Sequence, residues 1–380
     1  MQRGFVFLFL VWMDCCAAFG AGPAARRPVV VGYVYPHDAL IQPGEMDARK
    51  LTRVNYAFAS LRNGQLANGG ASDDRNLATL VALKRQNPSL TVLVSVGGWF
   101  GSGGFSCAAL TPESRAAFVQ SAAAYIERHQ LDGLDVDWEY PGQAGAGNRF
   151  RAEDRRNYTL LLTALRQSFD RLQKKLHRRL YLTIAAEASP EFLAHTEMER
   201  VEKIVDTVNL MAYDYYLPSS DPTTGHQAPL YTNPADPKKV SADKSVRDLE
   251  QAGVPADKIV LGIPFYGHAW RDVPATNDGL FQPGQPGPQS DEPVGEAAET
   301  LLKDGYVRSW DSVAQAASLY NPDKKIFVSY EDAQSIAAKC AYVRAHGLAG
   351  VMFWDAEDDP TGSLVDAIDA GLGLGPGAAK

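Results

Sequence analysis

Short apolar runs rich in β-branched residues recur along the chain and alternate with longer stretches in which apolar residues repeat at helical spacing. Runs of this kind are typical of buried parallel strands, and stretches such as Ser114–His129 and Asn157–Leu176 are typical of amphipathic helices. Their alternation predicts βαβ units and a parallel sheet. The predicted strands are Val29–Val34, Val54–Ala59, Thr91–Val96, Gly133–Asp137, Leu180–Ala186, Thr207–Ala212, Ile259–Pro264 and Gly350–Trp354.

Eight such units indicate an α/β fold in which the strands close into a (β/α)8 TIM barrel. The alternative is an open, doubly wound sheet, which would place a glycine-rich dinucleotide loop after the first strand. The residues there are Gly32-Tyr33-Val34-Tyr35-Pro36, which do not form such a loop. The closed barrel is therefore the favoured architecture.

The interval between the seventh and eighth predicted strands is longer than one helical return requires. It contains a Pro/Gly/Gln-rich piece at Phe281–Ser290, a short helical pattern, and two predicted strands near Tyr306–Trp310 and Ile326–Tyr330. These features predict a small α+β insertion between strands 7 and 8. The expected domains are a barrel formed by residues 27–269 and 339–372 and an insertion at residues 270–338.

The N-terminus has the pattern of an export signal. Arg3 is followed by the apolar run Phe5–Met13, which is too short to span a bilayer, and small residues follow up to Gly22. We expect residues 1–22 to be a signal peptide, so that the mature protein is secreted, extracellular or periplasmic, with no membrane association after cleavage. The alternative is a disordered cytosolic leader.

Composition narrows the choice of partners. The 380 residues are 45% hydrophobic and 22% charged, as in soluble globular proteins, and the net charge is −8. This acidic balance argues against nucleic acid as the main partner.

Cys107 and Cys340 lie on distant segments, so we expect two unpaired thiols although export would permit a disulfide. The sequence does not specify an oligomeric state, and monomer is the default expectation.

The residues from Leu131 to Pro141 concentrate acidic side chains on one strand. Asp135, Asp137 and Glu139 alternate with apolar residues, so their carboxyls share one face of the strand, roughly 6–7 Å apart along the chain. Like charges this close raise at least one pKa, and a carboxyl protonated near neutral pH can act as a general acid. The alternatives are a solvated acidic edge strand or a divalent-metal site. The apolar face that ends in Trp138 argues against the first, and the straight strand argues against the second.

The pattern Asp-Gly-x-Asp-x-Asp-x-Glu at residues 132–139 resembles the catalytic motif of family 18 glycoside hydrolases, the chitinase family. Other predicted strand ends resemble the same family. Ser95-Val96-Gly97-Gly98 is similar to its Ser-x-Gly-Gly motif. The remaining matches are residues 211–215, similar to Met-x-Tyr-Asp, residues 262–267, and residues 350–355.

The resemblance implies retaining hydrolysis of β-1,4 linkages between N-acetylglucosamine units of chitin or chitooligosaccharides. The substrate's own acetamido oxygen would be the nucleophile, and Glu139 the general acid and base. No metal or cofactor is implied. The implied catalytic residues are Glu139, Asp137, Asp135, Tyr213 and Asp214; the substrate-binding residues are Tyr33, Phe58, Trp99, Met211, Tyr266 and Trp354; the supporting residues are Asp132, Ser95, Gly97 and Gly98.

The first predicted strand lacks the tryptophan that often follows its tyrosine in the family, and two positions also depart from the family pattern. His268 stands where arginine is common, and Glu187 ends the fifth predicted strand, where small residues or proline are frequent. Both leave the subsite preference open. The alternatives within the family are an endo-β-N-acetylglucosaminidase acting on N-glycans, a cell-wall glycan hydrolase, and a lectin-like chitin-binding protein.

Overall fold

The computed structural model describes residues 27–42, 44–288 and 294–374. The expected signal peptide at residues 1–22 lies outside the described residues. The strands are β1 (Val29–Val34), β2 (Arg53–Arg62), β3 (Gln65–Ala67), β4 (Thr91–Gly97), β5 (Gly133–Asp137), β6 (Tyr181–Glu187), β7 (Thr207–Met211), β8 (Ile259–Pro264), β9 (His268–Arg271), β10 (Gln285–Pro286), β11 (Val307–Asp311), β12 (Ala316–Asn321), β13 (Ile326–Tyr330) and β14 (Gly350–Trp354).

The helices surround the parallel strands and connect them. They are α1 (Asp73–Ala82), α2 (Phe105–Ala108), α3 (Pro112–His129), α4 (Asp154–Leu176), α5 (Pro190–Ala194), α6 (Met198–Val201), α7 (Ala242–Gln251), α8 (Val294–Lys303), α9 (Ala333–His346) and α10 (Ser363–Leu372). Short 3-10 turns lie at Ala48–Lys50, Leu83–Arg85, Ser102–Gly104, Ala256–Lys258, Thr276–Gly279 and Ala356–Asp358.

Eight parallel strands close on themselves. The ring runs β1-β2-β4-β5-β6-β7-β8-β14, and β1 hydrogen-bonds to both β2 and β14. The predicted (β/α)8 TIM barrel is confirmed, and the open-sheet alternative is wrong because no edge strand remains in the ring. The strands are almost fully buried, which is why they appear in the sequence as apolar runs.

Local sequence signals explain where α3 begins and ends. The Thr111 side chain accepts a hydrogen bond from the Ser114 backbone N–H, and the Ser114 hydroxyl oxygen accepts one from the Thr111 backbone N–H. Pro112 occupies the first turn. These are features of a capping box, which satisfies N–H groups that the first turn would otherwise leave unpaired. The helix ends at Gln130, whose φ of 56° is left-handed.

The interval between β8 and β14 contains an antiparallel sheet in the order β10-β9-β13-β12-β11. The expected boundaries of this unit differ from the secondary structure. Residue 270 falls inside β9, which begins at His268, and residue 338 falls inside α9, a helix that packs on β14 and α10. The sheet thus extends from His268 to Tyr330. Its strand β12 was not among the predicted strands.

Two further features of the described residues concern membrane-spanning helices and the cysteines. No helix among the described residues is long and apolar enough to cross a membrane. Cys107 is exposed, Cys340 is buried, and both are free thiols.

Candidate active site

The carboxyl end of β5 carries the acidic side chains into the centre of the barrel. Asp135, Asp137 and Glu139 are only 0%, 4% and 8% exposed. On the other face of the segment, Trp138 stacks on Phe105 at 5.2 Å between ring centroids. The alternation of the strand therefore directs the carboxyls inward and packs the apolar side chains against the surrounding helices.

Asp135 is the deepest of the three carboxyls and accepts four hydrogen bonds. Tyr33 Oη and Ser95 Oγ donate to its Oδ2 at 2.9 and 2.8 Å. Thr183 Oγ1 and Asn209 Nδ2 donate to its Oδ1 at 2.5 and 3.1 Å. Burial raises the pKa of Asp135, and the hydrogen bonds from Thr183, Ser95 and Tyr33 oppose that rise.

Asp137 has a different environment from Asp135. Its Oδ1 is buried, and no hydrogen-bond donor of the described chain reaches it. Burial, followed by the charges of Glu139 and Asp135, raises its pKa well above the usual carboxyl value. An unpaired buried acceptor costs free energy, and a donor that arrives with a ligand would recover part of it.

Glu139 lies just beyond β5, at the rim of the barrel. Burial raises its pKa to about 7, the charges of Asp214 and Glu187 act in the same direction, and a hydrogen bond from Tyr140 opposes them. Its backbone N–H donates to Ser102 Oγ at 2.8 Å, and its backbone carbonyl accepts from Asn148 Nδ2 at 3.1 Å. A carboxyl with this pKa can both donate and accept a proton near neutral pH.

The opposite wall is formed by residues that follow β7 and β8. Asp214, with its φ of 58°, has a half-exposed carboxyl whose Oδ1 accepts from Tyr266 Oη at 2.7 Å and contacts His268 Nε2 at 2.8 Å. Tyr213 and Tyr266 pack edge to face at 6.2 Å. Burial raises the pKa of Tyr213 well above its usual value, so this phenol remains a hydrogen-bond donor at all ordinary pH values.

Aromatic rings form the floor of the site. Trp354, at the end of β14, lies nearly parallel to Phe58 at 5.5 Å and contacts Tyr33 at 5.7 Å. Tyr35 adds a third ring at 5.8 Å from Trp354. Met211 packs with Tyr33 and Trp354 in the same apolar cluster. Half-buried rings of this kind offer a flat apolar surface to the face of a sugar ring.

Gly97 and Gly98 allow the backbone after β4 to approach the acidic strand. Both have a positive φ, 116° and 75°. A Cβ at Gly97 would lie 2.0 Å from the Asp137 carbonyl oxygen, and one at Gly98 would lie 2.6 Å from the Phe58 ring. Neither clash can be relieved without moving the site. The next residue, Trp99, is 46% exposed and faces Tyr140 at 6.3 Å.

The sequence matches the family model described as "Glycosyl hydrolases family 18" over residues 29–359. The chain belongs to glycosyl hydrolase family 18. The match includes the acidic strand, the two glycines and the aromatic floor of the site.

Several known proteins are similar to most of this chain. Chitinase A1 of Niallia circulans is 37% identical over 317 residues, which are 79% of this chain and 45% of that protein. This chain thus covers less than half the length of that relative. A family 18 N-acetylglucosaminidase from Paenibacillus barengoltzii has a TM-score of 0.83 and 41% identity, covering 90% of this chain and 99% of that one. A class V chitinase from Nicotiana tobaccum in complex with NAG4 has a TM-score of 0.82 and 27% identity, covering 91% and 99%.

One residue of the family motif lies away from the other acidic residues. Asp132 precedes β5, at the end of the barrel opposite Glu139. It accepts from the Val92 backbone N–H at 2.8 Å and pairs with Arg178 at 2.7 Å and with Lys84. These contacts tie β4, β5 and the end of α4 together. Asp132 thus supports the barrel and does not line the site.

Several residues that contact the acidic strand or lie near it were not predicted. Thr183 and Asn209 interrupt apolar strand runs with a polar group, and this interruption is a signal from which they could have been found. Ser102 and Asn148, which hold the backbone of Glu139, lie in loops whose sequence gives no such signal. Glu187, which accepts a hydrogen bond from Gln143 Nε2 at 2.8 Å, stands out in the sequence only as a departure from the family pattern.

No group of three or more histidine, cysteine, aspartate or glutamate side chains within the described ranges is arranged to hold a metal ion. What the site does contain is a proton donor with a pKa about 7, a buried acceptor without a donor, and an aromatic floor. That combination suits acid-assisted cleavage of a sugar linkage with stabilisation of a cationic intermediate.

Proposed function

We propose that this chain hydrolyses β-1,4 linkages between N-acetylglucosamine units of chitin or chitooligosaccharides, with retention and with the substrate's acetamido oxygen as nucleophile. The single observation that carries the proposal is the Asp137 Oδ1, which is buried without a donor beside Glu139. An acetamido N–H would supply the donor. Without such a group in the substrate, no interaction would compensate for the free-energy cost of burying this carboxyl.

In the first step, Glu139 gives its proton to the glycosidic oxygen as the bond from that oxygen to C1 breaks. The acetamido carbonyl oxygen forms a bond to C1 and gives an oxazolinium ion. Asp137 accepts a hydrogen bond from the acetamido N–H and stabilises the positive charge of this ion. Asp135 lies deeper in the barrel, is held by four hydrogen-bond donors, and raises the pKa of Asp137 through its charge. Water then attacks C1 and gives a proton to the Glu139 carboxylate as the bond from the acetamido oxygen to C1 breaks, so the acetamido group is restored and the configuration is retained.

The remaining predicted residues orient the sugar. Tyr213 donates to the acetamido carbonyl from the wall opposite Asp137. Asp214 contacts the distorted sugar and its negative charge helps Glu139 keep its proton. Trp354 supports the apolar face of the reacting sugar, with Phe58 and Tyr33 fixing the indole from behind.

The test is hydrolysis of fluorogenic chitobiose and chitotriose glycosides by the mature protein beside Glu139→Gln. We expect release by the wild type, and for the variant a loss of about 100-fold or more with an unchanged fold. Most of the activity remaining in the variant would refute the role of Glu139. Binding of chitooligosaccharides by the wild type without cleavage would instead support the lectin-like alternative.

A second candidate is removal of single N-acetylglucosamine units from chain ends. It is favoured by the 41% identity to the family 18 N-acetylglucosaminidase, which extends over 99% of that chain. Products from chitotetraose separate the two activities: early accumulation of the monosaccharide supports end-wise removal, and the disaccharide supports internal cleavage. If neither fluorogenic substrate is cleaved or bound, an N-glycan or a cell-wall glycan becomes the substrate to test.

The proposed partner follows from the same chemistry, and the proposed location follows from the N-terminal sequence pattern. The substrate is a neutral N-acetylglucosamine polymer or oligomer, with no role for nucleic acid. We propose secretion after removal of residues 1–22, with monomer as the default state. N-terminal sequencing of the exported protein tests the cleavage position, and a mature N-terminus far from residue 22 would contradict it.

A further inference from the structure

The most exposed large apolar side chain among the described residues lies beside the site. Phe100 is 88% exposed and follows Trp99, which is 46% exposed. Single exposed apolar residues are common on protein surfaces and need no explanation on their own. Two consecutive exposed aromatic residues at the rim of this site are different, because both rings are available to a ligand that lies across the rim.

Hydrogen bonds fix the turn that carries Phe100 to the backbone around Glu139. Ser102 Oγ donates to the Gly98 and Asp137 carbonyls at 2.8 and 3.0 Å, and it accepts from the Glu139 N–H. Asn148 Nδ2 donates to the Trp99 and Glu139 carbonyls, both at 3.1 Å. The backbone that carries the exposed rings is therefore tied to the backbone of Glu139.

The turn is also compact. The Gly101 N–H donates to the Gly98 carbonyl at 3.1 Å, and a Cβ at Gly101 would lie 2.1 Å from the Gly97 carbonyl oxygen. Hydrogen bonding holds the backbone of Phe100 at the tip of a closed turn, where its side chain is exposed to solvent. A backbone held in this way loses little conformational entropy when the turn binds a ligand.

We propose that Phe100 extends the aromatic surface of Trp99 and binds the leaving part of a long N-acetylglucosamine chain beyond the sugar next to Glu139. This inference rests on the proposed function. Tyr140, which hydrogen-bonds Glu139, faces Trp99, so these rings lie on the side of the proton donor, where the leaving chain departs. Trp354 and Phe58 serve the sugar that forms the oxazolinium ion.

The composition of the turn fits a neutral polysaccharide. Residues 98–104 are Gly-Trp-Phe-Gly-Ser-Gly-Gly and contain no charged side chain. Aromatic faces pack against the apolar C–H face of a pyranose ring, and this contact requires neither partner to be charged. Short substrates end before they reach Phe100, so its contribution is confined to long chains.

The experiment compares kcat/KM on soluble glycol chitin and on a fluorogenic chitobiose glycoside for wild type, Phe100→Ala and Phe100→Trp. We expect Phe100→Ala to lose about three- to tenfold on the polymer and to stay within about twofold of wild type on the short substrate. Phe100→Trp should restore polymer hydrolysis. Because the side chain is exposed, the melting temperature should not change.

Phe150→Ala is the matched control, since Phe150 is 49% exposed on the loop after β5. It should remain within about twofold of wild type on both substrates. An equal loss on the polymer in Phe150→Ala would overturn the assignment to Phe100. So would wild-type polymer hydrolysis by Phe100→Ala. A wild type that cleaves neither substrate would overturn the proposed function and this inference with it.

Discussion

Asp135 and Asp137 lie two residues apart on one face of β5, yet Asp135 accepts four hydrogen bonds while no donor of the described chain reaches the buried Oδ1 of Asp137. The first carboxyl is part of the folded scaffold. The Asp137 carboxyl is buried at a free-energy cost that the fold alone does not offset. We interpret it as the group that accepts a hydrogen bond from the substrate.

This difference predicts opposite effects of two alanine substitutions on stability. Asp135→Ala should lower the free energy of unfolding by at least about 2 kcal/mol, because it leaves buried donors unpaired. Asp137→Ala should raise it by about 1 kcal/mol, because it removes an unsatisfied buried acceptor, while activity is lost. Urea unfolding measures both. A destabilised Asp137→Ala would contradict the interpretation.

The pH dependence of activity should reflect the raised pKa of Glu139. The reaction starts from the protonated carboxyl, so kcat/KM should fall as pH rises through about 7. Glu187→Gln removes a negative charge that opposes ionisation of Glu139, so the fall should move to lower pH. Glu127→Gln, on the outer helix α3, is the control and should leave the profile unchanged. An unshifted profile in Glu187→Gln would show that this charge does not act on Glu139.

The same pKa predicts how stability varies with pH. The pKa of Glu139 is about 7 in the fold and 4.5 without its environment, so the folded chain holds this proton more tightly than the unfolded chain. Its stabilising contribution is complete below the unfolded value and is lost as pH rises through the folded value. Between pH 5 and 8, wild-type stability should therefore fall more steeply than that of Glu139→Gln. Parallel curves from chemical unfolding would contradict this expectation.

Two tryptophans should respond differently to truncation. Trp354→Ala removes the half-buried floor and should lower kcat/KM on chitobiose about tenfold, equivalent to about 1.4 kcal/mol of stacking. Trp138 is 2% exposed and packs on Phe105, so Trp138→Ala should destabilise the fold by about 3–5 kcal/mol. Thermal unfolding and kinetics of both variants test the distinction. A larger loss of stability in Trp354→Ala would contradict it.

The barrel strands could be predicted from sequence because they are buried on both faces, and burial leaves a continuous apolar run. Val29–Val34, Gly133–Asp137, Ile259–Pro264 and Gly350–Trp354 have the bounds that the pattern predicts. The insertion was harder to predict. The strand β12 (Ala316–Asn321) is entirely buried yet mixes small and polar residues, and β9 starts directly after a barrel strand, so neither has a distinct pattern.

The acidic strand of the site could also be predicted, since an alternation of carboxyl and apolar side chains has few structural explanations. The hydrogen bonds that separate Asp135 from Asp137 could not. They depend on Thr183 and Asn209, which come from other strands and meet Asp135 only through the register of the closed barrel. Local sequence contains no information on that register.

The most direct test of the central claim compares two substrates that differ only at C2. Fluorogenic chitobiose carries the 2-acetamido groups, and fluorogenic cellobiose carries hydroxyls in their place. If the acetamido group is the nucleophile and fills the position beside Asp137, the wild-type protein releases fluorophore from chitobiose and not from cellobiose. Comparable rates on both substrates would contradict the account, because the chemistry would then not need the acetamido group.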